Sequence, residues 1–241
     1  MTLLAVRAVS KSFRGLRAVR DASLEVAEGA IVGLIGPNGA GKTTLFNLVA
    51  GVYAPDSGSI LFDQEPIQGL RPDQICAAGI GRTFQIVKPF GGLTVLDNVM
   101  VGSFLRESHS REARKASMQI LEKLKLASKA GQPASSLTLP ERKRLDIARA
   151  LATRPRLLLL DEVMAGLRPA ECDEMVLLFR ELNRSEGLTV LLIEHVMRAV
   201  MALAARIVVL HHGQVISEGM PQDVVRDPAV LECYLGEEAE V

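Results

Sequence analysis

The stretch Gly36-Pro37-Asn38-Gly39-Ala40-Gly41-Lys42-Thr43-Thr44 constrains this chain more than any other. Gly36, Gly41, Lys42 and Thr43 occupy the fixed positions of the pattern G-x-x-x-x-G-K-[ST]. The apolar run at 30–35 reads as a buried strand. Residues 44–50 follow with apolar side chains at helical spacing and stop at Gly51, a residue suited to end a helix. Glycines let the backbone wrap closely around an anion, so that several N–H groups point at it together. The helix N-terminus adds its partial positive charge, Lys42 reaches terminal phosphates, and the Thr43 hydroxyl is suited to Mg²⁺. A glycine turn that merely caps a helix is the plainer reading. The strand before and the helix after favour nucleotide binding instead.

Length and composition bound the rest. A chain of 241 residues is long enough for one large α/β domain, or for a core carrying a smaller helical insert. Hydrophobic residues make up 48% while aromatics are 4% and Trp is absent, so the expected core is aliphatic. The 28 basic and 28 acidic residues balance, which argues against a domain-wide nucleic-acid surface. Cys76, Cys172 and Cys233 have no metal-ligand spacing, and an odd count suits reduced thiols in a cytosolic protein. No apolar run approaches the ~20 residues of a membrane-spanning helix, and the N-terminus lacks the pattern of a signal peptide. The expectation is a soluble intracellular chain whose membrane role, if any, comes through a partner.

Taken in order, residues 3–12 and 19–26 read as strands joined by a turn-like Phe13-Arg14-Gly15-Leu16 that exposes an aromatic ring. These predict a small antiparallel sheet beside a main parallel one. Residues 59–62 read as a further strand, and 72–78 as a short helix ended by Gly79. Residues 80–85 lead into an irregular stretch with Pro89, Gly91 and Gly92. From Thr94 the periods become helical, with an amphipathic helix expected over 110–129 that places Met118, Ile120, Leu121, Leu124 and Leu126 on its apolar side. A helical subdomain at 94–153 is therefore expected, inserted in an α/β core formed by 1–93 and 154–241. Strand–helix alternation returns at 157–160, 188–193 and 207–210, predicting a mostly parallel sheet with helices on both faces.

A phosphate cradle also needs a magnesium ligand and a group to position attacking water. Asp161 ends the strand at 157–160, where its carboxylate emerges at the edge on which α/β sheets bind ligands, and Glu162 follows directly. This arrangement fits Asp161 on Mg²⁺ through water and Glu162 as the base or water-orienting group. His195, after the strand at 188–193 and next to Glu194, occupies the equivalent place and could meet a γ-phosphate oxygen. Taken singly, Asp161 reads equally well as a helix cap and His195 as a surface histidine. Together with the glycine loop they favour the functional reading.

At this point the chain resembles the ATP-binding subunit of an ABC transporter over essentially its whole length. Gly36 to Thr44 resembles that family's phosphate loop, and 157–161 the strand that carries its magnesium aspartate. The resemblance implies ATP and Mg²⁺ as cofactors, Glu162 as the catalytic glutamate and His195 as the switch histidine. Gln85 matches the glutamine that senses Mg²⁺ and links the site to the transmembrane partner. Phe13 sits where the family stacks an aromatic ring on adenine. Arg142 to Leu151 is similar to the helix after the family's signature loop, with Thr138 at its start. Arg82-Thr83-Phe84-Gln85, Ala165-Gly166-Leu167 and the ending at 227–236 are similar to the branched-chain amino acid importers. The implied partners are permease subunits, a second ATP-binding subunit in a head-to-tail dimer, and an extracytoplasmic solute-binding protein. The implied location is the cytoplasmic face of the cell membrane.

Two departures stand out. Where the family has Leu-Ser-Gly-Gly-Gln, this chain has Leu137-Thr138-Leu139-Pro140-Glu141, which loses both glycines and reads as a capping box. Arg168 replaces a common aspartate in the loop that reaches across the dimer. The motor of a lipid or lipopolysaccharide exporter is the near alternative. A soluble ABC ATPase of DNA repair or translation would need long coiled-coil inserts or linked halves. A non-hydrolysing module would have no need of Glu162 and His195.

Overall fold

The computed structural model describes residues 1–238, with side chains through Tyr234. The last three residues of the single domain expected over 1–241 lie outside the described residues, as does the Leu235 side chain of the tail motif. Strands β1 (Thr2–Phe13) and β2 (Leu16–Ala27) form a hairpin whose turn residues Arg14 and Gly15 have φ of 46° and 91°. Positive φ at both central residues matches the twist of paired strands. Then come β3 (Ile31–Ile35), α1 (Lys42–Val49), β4 (Ser57–Phe62), β5 (Glu65–Pro66), α2 (Pro72–Ala78) and β6 (Ile80–Arg82). A strand-free stretch holds α3 (Val95–Ser103), α4 (Ser110–Lys123) and α5 (Leu139–Ala152). The chain continues through β7 (Leu157–Asp161), α6 (Pro169–Glu186), β8 (Thr189–Ile193), α7 (Met197–Leu203), β9 (Arg206–His211) and β10 (Gln214–Gly219). It finishes with α8 (Pro221–Val224) and α9 (Pro228–Glu238).

Two sheets result. An antiparallel one has the order β2-β1-β4-β5, and a larger one has the order β10-β9-β3-β8-β7-β6, parallel except for β10. Strand side chains alternate between faces, so each buried strand feeds two cores. Ile31, Leu158, Leu160, Val190, Leu192, Ile207 and Val209 face a core shared with α3, α5, α6 and α7. Val32, Leu34, Leu157, Leu159, Leu191, Ile193, Val208 and Leu210 face the other, shared with α1, β1, β2 and β4. Burial on both faces is why these strands read as unbroken apolar runs. Helix α1 lies between the two sheets and buries Leu45, Phe46, Leu48 and Val49. Each such side chain contributes ~1.5–3 kcal/mol, which anchors the glycine loop at the helix start.

Helix α2 begins and ends where Pro72 and Gly79 (φ 115°) put its limits. Two elements differ from expectation. Helix α4 stops at Lys123 rather than 129, because Lys125 turns left-handed (φ 57°) and a separate 3-10 turn follows at Ala127–Lys129. Of the five expected apolar residues, Leu121, Leu124 and Leu126 are buried, the last two beyond the helix end, while Met118 and Ile120 are partly buried against the core. Residues Ile80–Arg82, read only as a lead into a loop, form the edge strand β6 paired to β7. Since β3, β6, β7 and β8 are parallel, their C-terminal ends share one edge of the sheet. The glycine loop, Gln85, Glu162 and His195 all follow those ends.

Candidate nucleotide site

The glycine loop is built so that glycine alone fits. A Cβ at Gly36 (φ 147°) would lie 2.0 Å from the Leu210 carbonyl oxygen, and one at Gly41 (φ 103°) 2.3 Å from that of Ala18. Gly41 opens α1 in the left-handed region, with no side-chain cap and no acidic residue in the first turn. A helix start of this kind leaves backbone donors and positive dipole for an anion. Lys42 is buried against the loop, where its ammonium donates to the carbonyls of Gly36 (2.7 Å) and Pro37 (2.8 Å).

Glu162 is the meeting point on the opposite wall. Its Oε2 accepts a hydrogen bond from Gln85 Nε2 at 2.7 Å, and its Oε1 lies 3.0 Å from His195 Nε2. Two residues from separate loops therefore converge on one carboxylate. The Glu162 backbone is left-handed (φ 49°) and its N–H donates to the Ile193 carbonyl at 2.9 Å. Asp161 lies beneath, buried, with Oδ2 accepting from Arg82 Nη2 at 3.1 Å. Burial pushes its pKa up, while the Arg82 guanidinium opposes that rise. Arg82 also donates to Asn47 Oδ1 on α1 at 2.6 Å, tying the phosphate-loop helix to the aspartate strand.

The Oδ1 of Asp161 is buried without a hydrogen-bond partner. An orphaned carboxylate oxygen of this kind suits a cation reached directly or through water. No cluster of three or more His, Cys, Asp or Glu residues able to hold a metal exists among the described residues. Mg²⁺ fits such a sparse set, because it retains waters and takes further oxygens from substrate phosphates.

A groove of about 500 Å³ runs between the glycine loop and Glu162, lined by Phe13, Asn38, Gly39, Ala40, Gly41, Lys42, Thr43, Thr44, Gln85, Glu162 and His195 but not by Asp161. Phe13 packs edge-on against Tyr53 with ring centroids 5.0 Å apart. Thr138 does not line the groove, since it caps α5 elsewhere on the chain. Arg17, Arg20 and His212 line it too and were not singled out from sequence. They arrive through long-range pairing: Arg20 N–H donates to Gly213 O, and Gly213 N–H to Ala40 O. Glu194, given no role of its own in the sequence, is buried beside the site with Oε1 accepting from the Met164 N–H at 2.8 Å. Burial raises its pKa to about 7.

Strand, glycine loop, helix and adjoining carboxylates define a nucleotide-binding α/β domain of the P-loop class. Comparison narrows the class. Residues 19–165 match the family described as ABC transporter, and residues 214–240 the branched-chain amino acid ATP-binding cassette transporter family. The chain belongs to the ABC transporter family, as one of its ATP-binding, ATP-hydrolysing domains. It is 40% identical to the high-affinity branched-chain amino acid transport ATP-binding protein BraF of Pseudomonas aeruginosa, across 98% of each chain. It is also 40% identical to the corresponding LivG of Salmonella typhimurium, again across 98% of each chain. Identity to the lipopolysaccharide export system ATP-binding protein LptB of Acidithiobacillus ferridurans is 38%, across 99% of each. A nucleotide-free ATP-binding cassette from an ABC transporter superimposes with a TM-score of 0.89 at 30% identity, covering 97% of this chain and 99% of that one. A bacterial ABC transporter cassette solved as a dimer gives 0.83 at 26% identity, covering 90% and 98%. Among the described residues no helix is long and apolar enough to cross a membrane.

Proposed function

We propose that the chain is the ATP-hydrolysing subunit of a membrane importer for branched-chain amino acids, bound at the cytoplasmic face to permease subunits. The match of residues 214–240 to the branched-chain family carries the substrate class, since the phosphate site itself is common to the whole superfamily. The relatives BraF and LivG support the same reading. One specific observation favours a second: similarity to LptB across nearly the full length keeps lipopolysaccharide export as the alternative.

In this reading the loop amides and Lys42 bind the β and γ phosphates, and Phe13 contacts adenine. Thr43 and Asp161 would hold Mg²⁺, with Gln85 beside them, and the cation would neutralise phosphate charge. Glu162 takes the proton of the attacking water. Gln85 and His195, both within hydrogen-bond reach of its carboxylate, orient it. A head-to-tail dimer would complete each site with the partner's α5 start at Thr138; that such cassettes pair at all is supported by the relative solved as a dimer. We read 94–153 as the helical subdomain that faces the permease, beside a core at 1–93 and 154–241. An apolar groove lined by Val52, Phe84, Val101 and Arg149 supports that placement, because Phe84 adjoins Gln85 and stays half exposed. An extracytoplasmic solute-binding protein would deliver the amino acid.

The test is ATP-driven uptake of labelled leucine into vesicles carrying the chain with its copurifying membrane subunits. Uptake that stops in Lys42→Ala supports the reading. ATP turnover without uptake of leucine, isoleucine or valine would contradict the substrate and favour the export alternative.

A further inference from the structure

Three consecutive basic residues, Arg142, Lys143 and Arg144, lie on the first turns of α5. Arg142 Nε donates to the Leu137 carbonyl at 2.8 Å, and Arg144 pairs with Glu174 near the surface. Lys143 turns inward and is 4% exposed. Its ammonium donates to the Glu162 carbonyl at 3.0 Å and to the Gln85 carbonyl at 3.4 Å. One side chain of the helix that Thr138 opens therefore grips the backbone of Glu162 and of Gln85, one of the two residues that meet its carboxylate.

That backbone needs holding. Glu162 is a non-glycine residue in the left-handed region, a conformation that persists only where its surroundings enforce it. Its N–H is fixed by β8 through Ile193, and its carbonyl by Lys143. Burying an ammonium is unfavourable unless it is well partnered, and a methionine would fill the same space without that penalty. The charge of Lys143 is offset by Glu194, Asp146, Glu162 and Asp161 around it, against the downward push of burial on its pKa.

We propose that Lys143 is a positioning residue for ATP hydrolysis: it locks the peptide of Glu162, and that of Gln85, to α5, so the base is aimed only while α5 is docked. The proposal rests on Glu162 acting as the base. It makes Lys143 the physical link between the segment that would meet the partner's nucleotide and this chain's own hydrolytic carboxylate.

The experiment measures Mg-ATP affinity and steady-state hydrolysis of the full chain for Lys143→Met, Lys143→Arg, Glu162→Gln and the double variant Lys143→Met/Glu162→Gln. Lys143→Met should lower kcat by roughly thirty- to a hundredfold, the scale of a small misplacement of a reacting group, with KM and Kd changed less than about twofold. Lys143→Arg should restore most of the rate. The double variant should be no slower than Glu162→Gln alone, because both act on one group. Should Lys143→Met not fold, Lys143→Gln carries the same expectations. Unchanged kcat in Lys143→Met beside a slow Glu162→Gln overturns the positioning role alone. So does a matched loss of ATP affinity and thermal stability, or additive losses in the double variant. Normal turnover in Glu162→Gln overturns the base assignment itself, and the proposal with it.

Discussion

Helices α1 and α5 both begin at positions where an anion could bind, yet their N-termini are prepared in opposite ways. At α1, Gly41 leaves the first turn without a side-chain cap or a carboxylate, and Lys42 adds a buried positive charge. At α5 the chain engages its own first turn: Glu141 Oε2 accepts from the Thr138 N–H at 3.0 Å, and the Thr138 hydroxyl donates to the same carboxylate. Glu141 also pairs with Lys129 at 2.5 Å, an interaction that holds its carboxyl below the usual range. Pro140 offers no N–H, and the Leu139 side chain packs toward Gly166. Arg168 repeats the pattern at α6, where its N–H and guanidinium both engage Glu171. A helix N-terminus is thus an anion site only when nothing in its own first turn has already occupied it. The phosphate half of this molecule is open, and the half that would face a partner's nucleotide is self-capped.

The largest effect should come from closing the open half. Lys42→Ala should weaken Mg-ATP binding by ~2–5 kcal/mol, the usual scale for removing one member of a buried charge pair, and abolish turnover with it. Isothermal titration checks this, and unchanged affinity would mean the loop amides suffice. Opening the self-capped half should help rather than hurt. Each donor aimed at a developing charge is worth up to about a hundredfold in rate. Leu139→Gly/Pro140→Gly should therefore raise turnover at the site that α5 completes in a dimer, by as much as that factor. A rate that stays level, with the fold intact by circular dichroism, would show that Thr138 and its neighbours already provide enough.

A smaller effect belongs to Glu194, which faces Lys143, Glu162 and the Met164 N–H. Its folded pKa of about 7 lies above the ordinary glutamate value of 4.5, so the native state holds the proton more tightly than the unfolded chain. That contribution to stability is complete below about pH 4.5 and is lost as pH rises through 7. Glu194→Gln mimics the protonated form. It should raise stability by ~1–3 kcal/mol at pH 8 and change little at pH 5, as read from thermal unfolding at both values. Equal shifts at the two pH values would contradict the assignment.

Much of this contrast was legible in the sequence, because it is written in local chemistry. Glycines at fixed spacing, a carboxylate ending an apolar run, and Thr-x-x-Glu before a helix each declare themselves within a few residues. The limits of α2 were legible for the same reason. What escaped was set by tertiary contact. Strand β6 has Gly81 at its centre, too little chain for a period, and gains its identity from pairing with β7. Beyond α4, the apolar residues continue to be buried after the backbone leaves the helix, so periodicity alone overshot its end. Lys143 stands in a basic run that reads as a solvated face, and its inward turn depends on carbonyls from two distant loops. Arg82 bridges Asn47 and Asp161 across a comparable distance in sequence.

Hydrolysis in this reading centres on the Glu162 carboxylate, which the Gln85 and His195 loops both meet. The most direct measurement is Mg-ATP binding and hydrolysis by Glu162→Gln, run beside size-exclusion chromatography with and without Mg-ATP. That variant keeps the glycine loop and Lys42, the proposed phosphate contacts, and removes only the proposed base. Nucleotide affinity should therefore stay within about twofold of the parent, turnover should fall by roughly a hundredfold or more, and Mg-ATP should shift the chain to a larger, stably associated species. Hydrolysis at the parent rate would contradict the assignment of Glu162 as the base, however well the variant bound ATP.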